Sequence, residues 1–281
     1  IIYRFIMLKS VNGKISIMFL GLDNKQTSAN EINGVSALLS VESPDIAIFA
    51  EVKDKETLNS ILSKNPSYRF SFFSDAGKPK HLALISKIAP DKCSLIEKKY
   101  KIDEKEVSVL RGFIAANFAI GNYKFTLIGA HLKNAEPHPE FNQFDMRRYE
   151  ARQLRYIFDE IREKDPAANV VIVGNMNDTC DMSTIKEIYY RRYAVNKRLF
   201  DIRPLDDLRT SWTHWNAGSD EYERPSYAFA NFAILPELIR EETKIVRTKQ
   251  WLELSTHRPV FLKFSTEDKE EYSKDYIAAI Y

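Results

Sequence analysis

The run Val170-Val171-Ile172-Val173 stops at Gly174-Asn175-Met176-Asn177-Asp178. An apolar run of this length, closed by glycine and small polar residues, reads as a buried strand. It delivers the residues that follow to the carboxyl edge of a sheet, where open α/β folds keep their active sites. That feature constrains the chain more than any other. It calls for a layered α/β domain with polar chemistry gathered at one sheet edge.

The rest of the chain supplies the layers. Strand-like and helix-like segments alternate: strands at 15–22, 45–52, 68–73, 81–86, 109–119 and 123–131, and helices at 28–39 and 57–62. Gly121-Asn122 marks a tight hairpin. The span 145–164 has the clearest helical spacing and closes at Asp165-Pro166. Later strands fit 227–234 and 260–264. With no repeat or low-complexity linker, one domain over 1–264 and a charged tail over 265–281 are expected. The opening Ile1–Leu8, without an initiator Met, reads either as the start of a processed chain or as an edge strand.

Composition narrows the classes. Hydrophobic residues at 44% and aromatics at 12% supply a sizeable core and exclude global disorder. A balance of 41 basic against 39 acidic residues leaves local placement to decide phosphate affinity. Cys93 and Cys180 lack metal-ligand spacing and read as free or buried thiols. No apolar run approaches the ~20 residues of a membrane helix. The compartment stays open between secreted or periplasmic and cytoplasmic.

Five segments, in order, carry a resemblance. Gly174-Asn175-Met176-Asn177 is similar to Gly-Asp-x-Asn, and Leu20-Gly21-Leu22-Asp23-Asn24 to Tyr-Asn-Ile-x-Asn. Phe49-Ala50-Glu51-Val52 is similar to Leu-Gln-Glu-Val, Ala130-His131-Leu132-Lys133 to Thr-His-Leu-Lys, and Ser255-Thr256-His257-Arg258-Pro259-Val260 to Ser-Asp-His-Arg-Pro-Val. Glu223-Arg224-Pro225-Ser226-Tyr227 resembles Ser-Arg-Ile-Asp-Tyr, and Trp212–Trp215 with Asp220–Tyr222 resembles the bacterial branch. Together these resemble the endonuclease/exonuclease/phosphatase superfamily, metal-dependent phosphodiesterases related to pancreatic deoxyribonuclease. The resemblance implies a four-layered α/β sandwich, two packed mixed β-sheets flanked by helices. It also implies Mg²⁺ held by Glu51 and Asn24, with His131, Asn175, Asn177, Ser226, Thr256 and His257 at the catalytic positions.

Several of those positions depart from the pattern. Asn175 replaces the Asp that lines up the attacking water, and an amide has no basic site near neutral pH. Loss of a general base forfeits ~10²–10⁴-fold in rate. Ser226 replaces the Asp that would hold His257 as an imidazolium, and Thr256 removes a further carboxylate. Gly21 and Ala50 replace an Asn and a Gln. The expectation is a degenerate phosphodiesterase, a pseudoenzyme with a binding or structural role and a protein partner, whose Mg²⁺ binding is weak. The alternative is an active Mg²⁺-dependent phosphodiesterase or nuclease with reassigned residues, using His131 or Asp178 as base and Glu51 with Asn24 for metal. A third reading is a nucleic-acid-binding module using the basic, tyrosine-bearing strip 186–209, for which a solvated helix face and a loop is the plainer account. Arg147, Arg148, Arg152 and Arg155 read as surface charges pairing with Glu150 and Asp159.

Overall fold

A computed structural model describes residues 13–23, 29–75, 80–189, 197–248 and 254–269. Ile1–Leu8, Asn24 and most of the tail lie outside the described residues, as does much of the 186–209 strip. In chain order the elements are β1 (Lys14–Gly21), α1 (Ala29–Glu42), β2 (Ile46–Val52), α2 (Lys55–Lys64), β3 (Phe70–Phe73), β4 (His81–Ser86), β5 (Lys92–Ile96), β6 (Lys99–Ile102), β7 (Lys105–Ser108), β8 (Phe113–Ile120) and β9 (Tyr123–His131). Then follow α3 (Gln143–Lys164), β10 (Val170–Asn175), α4 (Ser183–Tyr189), β11 (Leu199–Asp201), β12 (His214–Asn216), β13 (Glu221–Glu223), β14 (Ser226–Asn231), β15 (Lys244–Ile245) and β16 (Val260–Ser265).

Two six-stranded sheets form the centre, ordered β15-β16-β1-β2-β4-β3 and β11-β14-β10-β9-β8-β5. Each is mixed: β1 with β2 and β9 with β10 are parallel, and the other pairs antiparallel. The alternation of side chains along each strand builds three apolar layers. Val171 and Val173 join Ile17, Phe19, Ile48 and Leu84 between the sheets. Val170 and Ile172 face the other way, against Leu154, Phe158 and Ile185 of α3 and α4. Met18, Ala47 and Phe49 pack on Val35, Leu39 and Ile61 of α1 and α2. β10 is apolar without a break because both of its faces are covered. This is the expected four-layered sandwich.

Three expectations are corrected. The span 109–119 starts later, at Phe113, because Gly112 takes a left-handed φ of +64° and turns the chain into β8. The 186–209 strip holds, beyond α4, a strand as well as a loop: β11 pairs Leu199, Phe200 and Asp201 with Asn231, Ala230 and Phe229 of β14. The arginines of α3 are not all surface charges, because β9, the chain after β10, and α4 cover two faces of that helix. Arg155 is fully buried and grips Asp159 at 2.7 Å, as helical spacing predicts. Arg148 and Arg152 pair instead with Glu187 of α4. Arg147 is buried, and the fully buried Glu150 accepts the N–H groups of Leu110 and Lys133 at 2.9 and 2.6 Å.

Candidate active site

The register brings the motifs to one edge. Asn175, the last residue of β10, is the Cα partner of His131 on β9 and of Ser226 on β14. His131, Asn175 and Ser226 therefore stand in a row across three adjacent strands, all buried. Gly174 permits the approach: a Cβ there would sit 2.2 Å from the Ala130 carbonyl oxygen. In the facing sheet β1 and β2 run parallel and end at the same edge, while β16 begins beside the end of β1. A cleft of about 730 Å³ lies between these ends, lined among others by Asp23, Glu51, Asn177, Asp178, His214 and His257.

Glu51 is delivered by an irregularity. The β2–β4 register slips between Phe49 and Val52, and Glu51 takes a left-handed φ of +60°. For a side chain with a Cβ that conformation costs about 1–2 kcal/mol, and bulges of this kind re-aim side chains beside functional sites. The carboxylate lies 3.8 Å from Lys80 Nζ and 3.4 Å from His131 Nε2, the latter outside hydrogen-bonding geometry. Burial raises its pKa, against the pull of Lys80 and Arg111. Burial also holds His131 well below its ordinary value, helped by the positive charge of Arg111, so its imidazole is neutral.

Asn175 is committed locally. Its Oδ1 accepts the N–H of Asn177 at 3.0 Å, closing an Asx turn. Asn177 sits at φ +53°, and its Nδ2 donates to the Leu132 carbonyl at 2.7 Å. Asp178 is held by Arg147 Nε at 3.2 Å, and Arg147 Nη1 donates to the Lys133 carbonyl.

The expectation that His257 lacks a carboxylate partner is corrected. Asp23, two residues past the end of β1, places Oδ1 3.4 Å from His257 Nε2. Its Oδ2 accepts both the N–H and the hydroxyl of Thr256 at 2.7 Å. The carboxylate lost at 226 and 256 is thus supplied by Asp23, just past the end of β1, the strand beside β16. Burial still outweighs it, setting His257 at about 4 with Asp23 pulling upward, so this histidine too is neutral at pH 7. The β12–β13 hairpin carries His214 to the same place, its ring centroid 4.6 Å from that of His257. Gly21 belongs to this arrangement, because a Cβ there would crowd the His257 ring at 3.1 Å. Ala50 points instead into the core between the sheets.

Asp23, His214, Lys80 and Arg147 are the site residues that sequence reasoning missed. The one available signal was an acidic residue just past a strand end at Asp23. His214 lay in a noted segment, but nothing local ties it to His257.

Of the two residues expected to hold Mg²⁺, Glu51 faces the cleft with the Lys80 ammonium 3.8 Å away, and Asn24 lies outside the described residues. Among the described residues no three His, Cys, Asp or Glu side chains converge as a metal site would require. Asp23 is spent on Thr256 and His257, and an ammonium stands beside Glu51 where oxygen ligands would be needed. What the site does hold is unmet hydrogen-bonding capacity. Among the described residues, eleven buried side-chain N or O atoms make no hydrogen bond, and six are in or behind this site: Arg111 Nε, both His131 nitrogens, His214 Nδ1, Ser226 Oγ and His257 Nδ1. Orphans of this kind cost about 1–3 kcal/mol each, so their concentration at one place needs a reason.

No known family profile matches the sequence, and no curated protein does. Solved structures do. An endonuclease/exonuclease/phosphatase family protein from Bacteroides thetaiotaomicron superposes with a TM-score of 0.68 at 12% identity, over 92% of this chain and 98% of that one. Caenorhabditis elegans TDP2 gives 0.63 at 19% identity, over 90% and 97%. D. rerio TDP2 complexed with single strand DNA product gives 0.61 at 16% identity, over 90% and 99%. With the motif-bearing strand ends meeting at one cleft, the chain has the fold of the endonuclease/exonuclease/phosphatase superfamily.

Proposed function

We propose that the protein binds phosphate esters in this cleft and is severely impaired as a hydrolase. The observation that carries the reading is the His131–Asn175–Ser226 row. It contains no carboxylate, and the amide oxygen of Asn175 is taken by Asn177. The carboxylate that would line up and deprotonate an attacking water is therefore missing from this row. The two neutral histidines supply no fixed positive charge for a developing phosphorane, so the electrostatic share of catalysis is weakened as well.

Binding is a separate matter. Of the unpartnered atoms, His214 Nδ1 and His257 Nδ1 belong to residues that line the cleft, and they suit a ligand that offers hydrogen-bonding groups of its own, as a phosphate ester or its monoanion does. Arg147 lines the cleft, paired with Asp178, and Lys80 stands beside Glu51 and Glu136. The single-stranded DNA named for the D. rerio neighbour makes a nucleic acid backbone a reasonable class of ligand. The test pairs two assays on the wild-type protein: calorimetric titration with inorganic phosphate and a dinucleotide, and turnover of bis-p-nitrophenyl phosphate with millimolar Mg²⁺ or Mn²⁺. Saturable binding with background turnover is expected. Robust metal-dependent turnover would end the reading.

One observation favours a second reading, an active phosphodiesterase with reassigned roles. Asp23 beside His257 is a histidine–carboxylate pair, and Asp178 also lines the cleft. On that reading Asp23→Asn abolishes a turnover that the wild type displays.

A further inference from the structure

We propose that the Lys80 ammonium is a built-in cation of this cleft. It holds the place on Glu51 that a divalent metal ion would take, and its removal opens a metal site on the carboxylates of Glu51 and Glu136. This role concerns the cation alone and stands whatever ester the cleft binds.

Lys80 Nζ donates to Glu136 Oε1 at 2.9 Å and lies 3.8 Å from Glu51 Oε2. One ammonium within reach of both oxygens means that two carboxylates lining the cleft converge on a single point. Among the described residues, Lys80 is the one lysine or arginine in ion-pair contact with Glu51. The pair is no loose surface bridge of the kind that contributes little. The Glu51 side chain is 13% exposed and that of Lys80 21%, so both charges are largely withdrawn from water.

The backbone fixes this meeting from two sides. Val52 pairs with His81 across β2 and β4, which sets Lys80 diagonally across from Glu51 at the end of the pair. Both residues keep left-handed backbones, at φ +60° for Glu51 and +70° for Lys80. Such conformations are uncommon for residues with a Cβ and cluster where position matters. Glu136 comes from the segment after β9. There Lys133 Nζ donates to the Asn134 carbonyl at 3.1 Å, to Asn134 Oδ1 at 3.0 Å and to the Glu136 carbonyl, drawing residues 133–136 round one ammonium.

A hard divalent ion binds to carboxylate and other oxygens at close range, about 2.0–2.6 Å. An ammonium seated between the two carboxylates repels such an ion and fills the room it needs. Being part of the chain, it is present at every metal concentration and cannot be chelated away. Neutralising Lys80 leaves both carboxylates without that counter-charge, so a divalent ion becomes the cation that satisfies them.

The test is Mn²⁺ titration followed by electron paramagnetic resonance, which reads the free ion directly and needs no substrate. Wild-type protein should show no saturable binding up to millimolar Mn²⁺. Lys80→Met should bind one ion at least tenfold more tightly than wild type. Lys80→Gln is a second neutral variant and should do the same, so either one that folds, as judged by circular dichroism, decides the matter. Lys80→Arg keeps a cation and should stay as closed as wild type. Adding Glu51→Gln to Lys80→Met should abolish the new site. Equal affinity, or equal absence of binding, in wild type and the folded neutral variants overturns the proposal. So does tight binding by wild type that is lost in Glu51→Gln, or new binding that survives Glu51→Gln. Failure of the phosphate titration would overturn the ester reading and leave this one untouched.

Discussion

Acid should unfold this protein through its buried histidines, and His257 sets the magnitude. Its imidazole is held at about 4, against 6.5 for an open histidine, mainly by burial and in spite of Asp23. A depressed folded-state pKa means that the unfolded chain takes up the proton first. The stabilisation is therefore complete above pH 6.5 and drains away as the pH falls, until the folded form also protonates near 4. At about 1.36 kcal/mol per pH unit, His257 alone removes about 3 kcal/mol across that window. His131, which burial also holds well below its ordinary value, acts in the same direction. Urea denaturation at intervals from pH 7 to pH 4 measures the slope. His257→Gln should flatten it by about one proton, roughly 1.4 kcal/mol per pH unit between pH 6 and 5. Asp23→Asn should carry the loss below pH 4, because the carboxylate favours the charged ring. Parallel slopes for wild type and His257→Gln, or an NMR titration of His257 near 6.5, would refute the reasoning.

Three further outcomes follow from the same geometry. Ser226→Ala removes a buried hydroxyl without a partner, so it should stabilise the protein by about 1–2 kcal/mol and raise Tm by roughly 2–4 °C in calorimetry. Gly174→Ala drives a Cβ to 2.2 Å from the Ala130 carbonyl between two central strands, and should cost about 2–3 kcal/mol or more in denaturant titration. Arg258→Ala strands the buried Asp206 and should cost about 3–5 kcal/mol, whereas Arg258→Met with Asp206→Leu should recover much of that loss.

The layers of this fold were legible because their strands are covered on both faces or joined by an obvious turn. Val170–Val173 and Tyr123–His131 declare themselves in that way. The short β5, β6, β7, β11, β12 and β13 did not, since three to five residues of mixed polarity carry no period to read. The five motifs marked the sheet edge through backbone position alone. Side-chain partnership was another matter. Loss of carboxylates at 226 and 256 reads in sequence as an unpartnered His257, yet Asp23 reaches it from the end of the neighbouring strand β1, 234 positions earlier in the chain. The α3 arginines failed for a related reason. Helical spacing says which residues share a face but not what covers that face, so Arg147 and Glu150 looked solvated and are buried.

The central question for this protein is whether the cleft binds phosphate esters without cleaving them. The most direct measurement follows one labelled oligonucleotide in one tube, by anisotropy and then by gel, with millimolar Mg²⁺ or Mn²⁺ present throughout. Saturable binding that leaves the strand intact over hours is the predicted result. Multiple-turnover cleavage that disappears in Glu51→Ala would contradict it and restore the chain to the active phosphodiesterases.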